Sequence, residues 1–448
     1  MHRPADEPAP TIRRRRHLRT TAITIALGVV MFTVGAIGLS PSDSTTPDTS
    51  ASASSSAMGS ARGIEALRER VKRLPKDPAG WADLGMALVQ QARTTADQAT
   101  YTQAETALRR SLALQSAENL HAEIGMGALA AARHQFRHAL TWAQKAVATS
   151  PSTPAAYGVL ADAHTQLGQY EEAEEAVQKM ADLRPDSSSL ARASYTFELR
   201  GDTVQAQVLM ERALRAAGTP GERAFTYTHL SSLALDSGDP ATALRQAQAG
   251  LAIAPRDAGL LEARAKAHAA TDDREQAVAD YTAAIAAAPL PQYLLGLGEL
   301  QQSLGHTTEA EAQYAVLRAQ EALRRTGNAP ADVDAILFEA DHGNPRQAVT
   351  MAEAAARERP FVAVHDAFAW ALHRAGRNEE ALAQADEALA LGTRSALMHY
   401  HRGAIHQALG DTTAARNDLH QALAIDPSFH PLHAPAAREA LRRIDDTP

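Results

Sequence analysis

No cysteine occurs among the 448 residues of the chain, which excludes disulfides, thiolate nucleophiles and cysteine-ligated metals. Aromatic side chains are scarce as well, 4% of the chain against 45% hydrophobic residues overall. A core of that composition is laid down as thin layers of alanine, leucine and valine rather than around large rings. There is no basic excess: the formal charge is −8, and without residues 1–19 the chain carries 38 basic against 50 acidic side chains. That balance argues against nucleic acid or an anionic membrane surface as partner. The P-loop pattern, His-Glu-x-x-His and Gly-x-Ser-x-Gly are all missing. Gly125-Met126-Gly127 and Gly296-Leu297-Gly298 look faintly like dinucleotide loops, but each falls inside a helical stretch with no strand before it. Close packing of neighbouring helices is the reading they support. The acidic pairs Glu171-Glu172 and Glu379-Glu380 sit at helix starts, where they complement the helix dipole.

What is present is periodic. In residues 156–185, Tyr157, Leu160, Ala161, Ala163 and Leu167 recur at steps of three and four and form one stripe of a helix. Gly168 supplies the left-handed position that ends it, and Tyr170-Glu171-Glu172 opens a second helix. That helix carries Ala173, Ala176, Val177, Met180 and Leu183 inward and stops before Pro185. The stretch predicts an antiparallel helix pair of about 34 residues.

The pair is repeated. An alanine in the first turn of each second helix recurs at 104, 139, 173, 206, 243, 277, 310, 348, 381 and 415. Five residues earlier stands a turn glycine, at 168, 201, 238, 305, 343, 376 and 410, replaced by Asp272 once and His134 once. Asp202, Asp239, Asn344 and Asp411 follow as N-caps. Twelve residues after the alanine stands Pro151, Pro185, Pro255, Pro289, Pro360 or Pro427. The segment 92–100 is expected to lengthen the first turn, and 218–221 and 326–330 are expected to be longer loops between repeats.

This pattern resembles the tetratricopeptide repeat: Trp81-Ala82-Asp83-Leu84-Gly85 matches its opening, and Ala277 with Tyr281 and Pro289, or Ala310 with Tyr314, its later part. The resemblance implies an all-α fold, an α-solenoid wound as a right-handed superhelix of antiparallel helix pairs, with ten repeats over residues 78–427. Amphipathic helices at 62–77 (Ile64, Leu67, Val71, Leu74) and 428–448 are expected as caps, the second centred on residues 436–444.

The first sixty residues are a different material. Arg3, the run of residues 13–16 and Arg19 precede residues 20–42, which contain no charged side chain. About twenty apolar residues span a bilayer core. Residues 20–40 are therefore expected to be a transmembrane signal-anchor helix, with 1–19 as a basic cytoplasmic tail and 41–61 as a flexible Ser/Thr/Ala-rich linker. The repeats are then expected outside the cytoplasmic membrane; the alternative is secretion after signal cleavage.

Function must come from surface shape. In proteins similar to this one, first helices line a concave groove that takes up peptide segments of partner proteins. By register the groove-facing candidates are Arg192, Tyr195, His229, Glu262, Lys266, Glu299, Asp366, His373, Arg374, Tyr400 and His401. They are of mixed sign and do not form a clamp of repeated Lys and Arg. Eight of the 18 histidines lie in residues 365–433. That bias raises the alternative of an accessory factor for maturation of, or metal delivery to, an envelope protein. His134 and His138 have ligand spacing, but a turn is expected between them. The expectation is a non-enzymatic, membrane-anchored interaction scaffold without cofactor, resident metal or nucleic-acid partner.

Overall fold

The computed structural model describes residues 61–95, 98–326 and 331–446. The tail, span and linker expected over residues 1–60 lie outside the described residues. Among the described residues no helix is long and apolar enough to cross a membrane.

Among the described residues twenty-two helices follow one another, and all ordered structure is helical. Ten successive pairs run from Pro78–Thr95 with Gln98–Leu114 to Ala396–Leu409 with Thr412–Ile425. The helices Ala61–Arg73 and His433–Asp445 flank them. The fold is an all-α solenoid. Turn chemistry explains its punctuation. His134, Gly168, Gly201, Gly238, Asp272, Gly305, Gly376 and Gly410 all have positive φ, between 59° and 83°. Asp202, Asp239, Asn344 and Asp411 accept hydrogen bonds from amides of the helices they precede. The six prolines at 151, 185, 255, 289, 360 and 427 each lie two residues beyond the end of a second helix.

The ten recurring alanines are buried, none more than 5% exposed. Small size is what the crossing requires. Ser194 Oγ donates to the carbonyl of Ala206 at 2.6 Å, and Ser231 Oγ to that of Ala243 at 2.9 Å. The two glycine stretches are packing sites: a Cβ at Gly296 would lie 2.8 Å from the Tyr281 hydroxyl, and one at Gly298 would overlap the Tyr314 ring.

Several local expectations are corrected. Residues 92–95 and 98–100 are helix, not added turn: the two helices of the first pair hold 18 and 17 residues, and residues 96–97 lie outside the described ones. Residues 218–221 are not a loop insertion, because Pro220 opens the helix Pro220–Leu235 behind a reciprocal Thr219–Glu222 capping box. In the seventh pair the second helix continues to Thr326, and residues 327–330 lie outside the described ones. Gly343 is not left-handed: its φ is −134°, and a Cβ there would meet the Glu339 carboxyl carbon at 2.7 Å, so that side chain would have to shift. Leu74 lies beyond the first helix and is 56% exposed. The closing helix begins at His433, three residues earlier than expected.

Successive first helices pack directly on one another except between the fourth and fifth and between the sixth and seventh pairs, whereas successive second helices make no comparable contact. First helices therefore line the tight inner side of the curve. The curve is tight enough to bring distant pairs together. Tyr170 Oη accepts the amide of Val362 at 3.0 Å, and Thr393 Oγ1 donates to the Leu199 carbonyl at 2.6 Å, across 192 and 194 residues. Turns of the third, fourth and fifth pairs sit on the connections after the eighth, ninth and tenth. A Cβ at Gly168 would lie 2.6 Å from the Pro360 oxygen, one at Gly238 2.9 Å from that of Ile425, and one at Gly201 would overlap that of Gly392. Tyr170, Tyr195 and Leu199 join the apolar core built by the last three pairs.

Candidate functional site

The inner face divides into two regions. In the first, Arg192 is buried and reaches back one pair to Asp162 through two parallel hydrogen bonds of 2.9 Å, with a third to Ser188. Tyr195 is half-buried, and burial pushes its phenol well above its ordinary range. The His229 ring lies 4.2 Å from that of Phe225, and burial pushes its imidazole down to about 4. Glu262 and Lys266 pair at 2.8 Å across one helical turn. Burial would lower the Lys266 ammonium, but Glu262 overrides it and raises it.

Sequence register missed two inner carboxylates here. Glu198 is half-buried and Asp236 exposed, and neither side chain has an ion-pair or hydrogen-bond partner among the described residues. Burial, aided by the Asp236 charge, pushes Glu198 up to about 8; Asp236 keeps contact with solvent, but the protein mass around it on the inner face desolvates its carboxyl and pushes it up to about 6 despite Lys266. They follow Tyr195 and His229 by one or two helical turns, and that spacing was the available signal.

The second region gathers the remaining candidates with residues not anticipated. Glu299 is held between His342 at 3.2 Å and His430 at 3.0 Å. Burial would raise its carboxyl, but His430 and His342 prevail and hold it below the usual range. Asp366 and His401 form a buried pair at 2.9 Å, and the His401 ring stacks on Trp370 at 4.2 Å. Trp370 Nε1 donates to Asp341 at 3.0 Å. Arg374 stands 3.3 Å from the same carboxylate and over the Trp370 ring. His373 Nδ1 donates to Asn378 Oδ1 at 2.8 Å, and burial lowers its imidazole. Tyr400 is buried beneath His433, with ring centroids 4.8 Å apart.

Of the eleven candidates, Arg192, Glu299, Asp366, Tyr400 and His401 are thus buried and engaged with the chain's own groups. Arg374 is exposed, while Tyr195, His229 and His373 are half-buried. Among the described residues no three His, Asp or Glu side chains are arranged to hold a metal ion. His134 is the left-handed turn residue ahead of the helix carrying His138, so the two do not share a helical face.

Two profiles of the tetratricopeptide repeat match the chain, over residues 125–194 and 396–429. Tetratricopeptide repeats are present in this chain. The solved structures to which it is similar include a thermophilic TPR protein from Thermus thermophilus, at 23% identity over 43% of this chain and 98% of that one, with a TM-score of 0.38. A tetratricopeptide repeat protein from Parabacteroides merdae gives 20% identity over 58% and 99%, with a TM-score of 0.34. PilF of Pseudomonas aeruginosa gives 17% over 50% and 97%, with a TM-score of 0.38. No curated protein matches the sequence. Tetratricopeptide repeats generally mediate contacts between proteins, and their fold is typically a non-catalytic scaffold.

Proposed function

We propose that the protein is a non-enzymatic interaction scaffold: a right-handed superhelix of ten tetratricopeptide-like repeats whose inner face takes up peptide segments of partner proteins. The observation that carries this reading is the first region of the inner face. There Glu198, half-buried, and Asp236, exposed, stand at the ends of successive first helices with no hydrogen bond or ion pair to the chain's own groups among the described residues. Tyr195, His229, Glu262 and Lys266 line the same side and serve as its further contacts. A donor-bearing peptide would satisfy these groups without rearranging the core.

The apolar run at residues 20–40, with six arginines before it and none after it until Arg62, supports anchoring in the cytoplasmic membrane with the repeats outside. Protease treatment of intact cells and of spheroplasts, read with an antibody to the repeats, tests this placement. Digestion only after lysis from within would overturn it, and release of the repeats into the medium would favour the cleaved form.

For the binding role, the full chain is crosslinked in membranes and captured. The expected result is one dominant partner whose recovery falls about tenfold on Tyr195→Ala with Glu198→Ala, the loss of about 1.4 kcal/mol. Unchanged recovery with an unchanged circular dichroism spectrum would remove the inner face from the function.

A further inference from the structure

A seal on the end of a solenoid has to cover only the last pair, and the closing helix does this, packing chiefly on the two helices of the tenth pair. The turn that leads into it does something else. Residues 429–433 cross the inner face as far back as the seventh pair, where His430 Nε2 lies 3.0 Å from Glu299, 131 residues upstream. His430 Nδ1 accepts the amides of Leu432 and His433, each at 3.2 Å, so the proton on Nε2 is the one donated to Glu299. His433 Nε2 stands 3.5 Å from the Asp341 carboxylate of the eighth pair. The His433 ring meets Trp370 of the ninth pair edge-on at 5.4 Å and stacks on Tyr400 of the tenth, and Phe429 lies 5.7 Å from the Tyr400 ring. One short segment thus touches four successive first helices, as a bound peptide would. All five of its residues are partly exposed, so it lies across this face and is not sunk into it.

The surface beneath is complete without the segment. Glu299 keeps His342, and Asp341 keeps Trp370 Nε1 and Arg374. What lifting the turn would expose is two carboxylates flanking the Trp370 and Tyr400 rings. That combination selects an occupant with an aromatic ring and nearby nitrogen donors.

We infer that the inner face of the seventh to tenth pairs is a second binding surface, occupied in the resting chain by its own residues 429–433, and that a partner segment carrying an aromatic ring followed by imidazole or ammonium donors displaces them. This rests on the scaffold reading above, because it names the chemistry of a segment the scaffold takes up.

The test uses the full chain and a fluorescent peptide copying residues 427–434. Phe429→Ala with His430→Ala removes the segment's hold on Glu299 and its Phe429 contact with Tyr400, leaving only His433 on the surface; this variant should bind the peptide at least about tenfold more tightly than the parent chain, and Glu299→Gln added to it should abolish the gain. Phe429→Ser alone, which leaves both histidines, should give a smaller gain in the same direction and covers the case in which the double variant does not fold. Equal binding to parent and variants, no binding to any, or a gain that survives Glu299→Gln overturns the inference. Partner capture through Tyr195 and Glu198 is read in parallel; if it persists while the peptide fails, this surface is rejected and the scaffold reading stands.

Discussion

Glu198 is the residue at which the cost of an enclosed inner face is concentrated. Its carboxyl is pushed up to about 8, so between the ordinary carboxylate range and that value the unfolded chain has released a proton that the folded chain retains. Its contribution to stability is full below the ordinary pKa and is lost as pH rises through about 8. Glu198→Gln should therefore leave the denaturation midpoint unchanged near pH 5 and raise stability near pH 8 by on the order of 1 kcal/mol, a figure discounted for the water in the inner space. An equal effect at both pH values would mean that Glu198 is not desolvated. His229 works in the other direction: its imidazole is depressed to about 4, so its contribution is present above 6.5 and is lost as pH falls through about 4. At this scale the sequence was legible in part. Counting showed that histidines crowd the last repeats, but Glu299 and Asp341, which give His430 and His433 their roles, lie far upstream and belong to other helices. No local pattern connects them.

For elements, the sequence was a reliable guide wherever the cause was local. A left-handed turn residue, an Asp or Asn cap, a buried alanine and a stopping proline each act within one helix pair, and they recur where the pairs recur. The failures share a cause. Gly343 was grouped with the turn glycines by position, yet its φ is −134° and what lies against it is the Glu339 side chain, not a left-handed turn. Residues 218–221 look like loop material by composition, but Thr219 and Glu222 exchange hydrogen bonds with each other's backbone and start a helix. Gly218 N–H also donates to Glu222 at 2.7 Å. Thr219→Ala should lower stability by about 1 kcal/mol, with faster hydrogen exchange confined to the first turn of Pro220–Leu235. Exchange that rises evenly along that helix would mean the box does not set its start.

On the scale of the whole molecule, what one repeat cannot disclose is how far the curve closes, because that depends on small rotations summed over many pairs. Two glycines with the same backbone conformation make the closure measurable. Gly201 has φ +75° and its absent Cβ would overlap the Gly392 carbonyl oxygen; Gly305 has φ +79° and nothing within 4 Å. Gly305→Ala should cost about 1–2 kcal/mol for a left-handed non-glycine residue. Gly201→Ala should cost that and more, and should enlarge the radius of gyration in small-angle scattering, while Gly305→Ala leaves it unchanged. Identical behaviour of the two variants would mean that the distant pairs do not touch in solution.

The closure also alters how such an array comes apart. In an open solenoid each unit leans only on its neighbours, so ends can fray while the middle stays folded. Here the last pairs rest on the turns of the third to fifth, by way of Tyr170 with Val362 and Leu199 with Thr393. Peeling away the carboxyl-terminal end strips support from the middle of the chain at the same moment. The stack consequently melts less like a zipper and more like a single domain, with contacts between residues some two hundred positions apart making its folding slower than that of a row of independent hairpins.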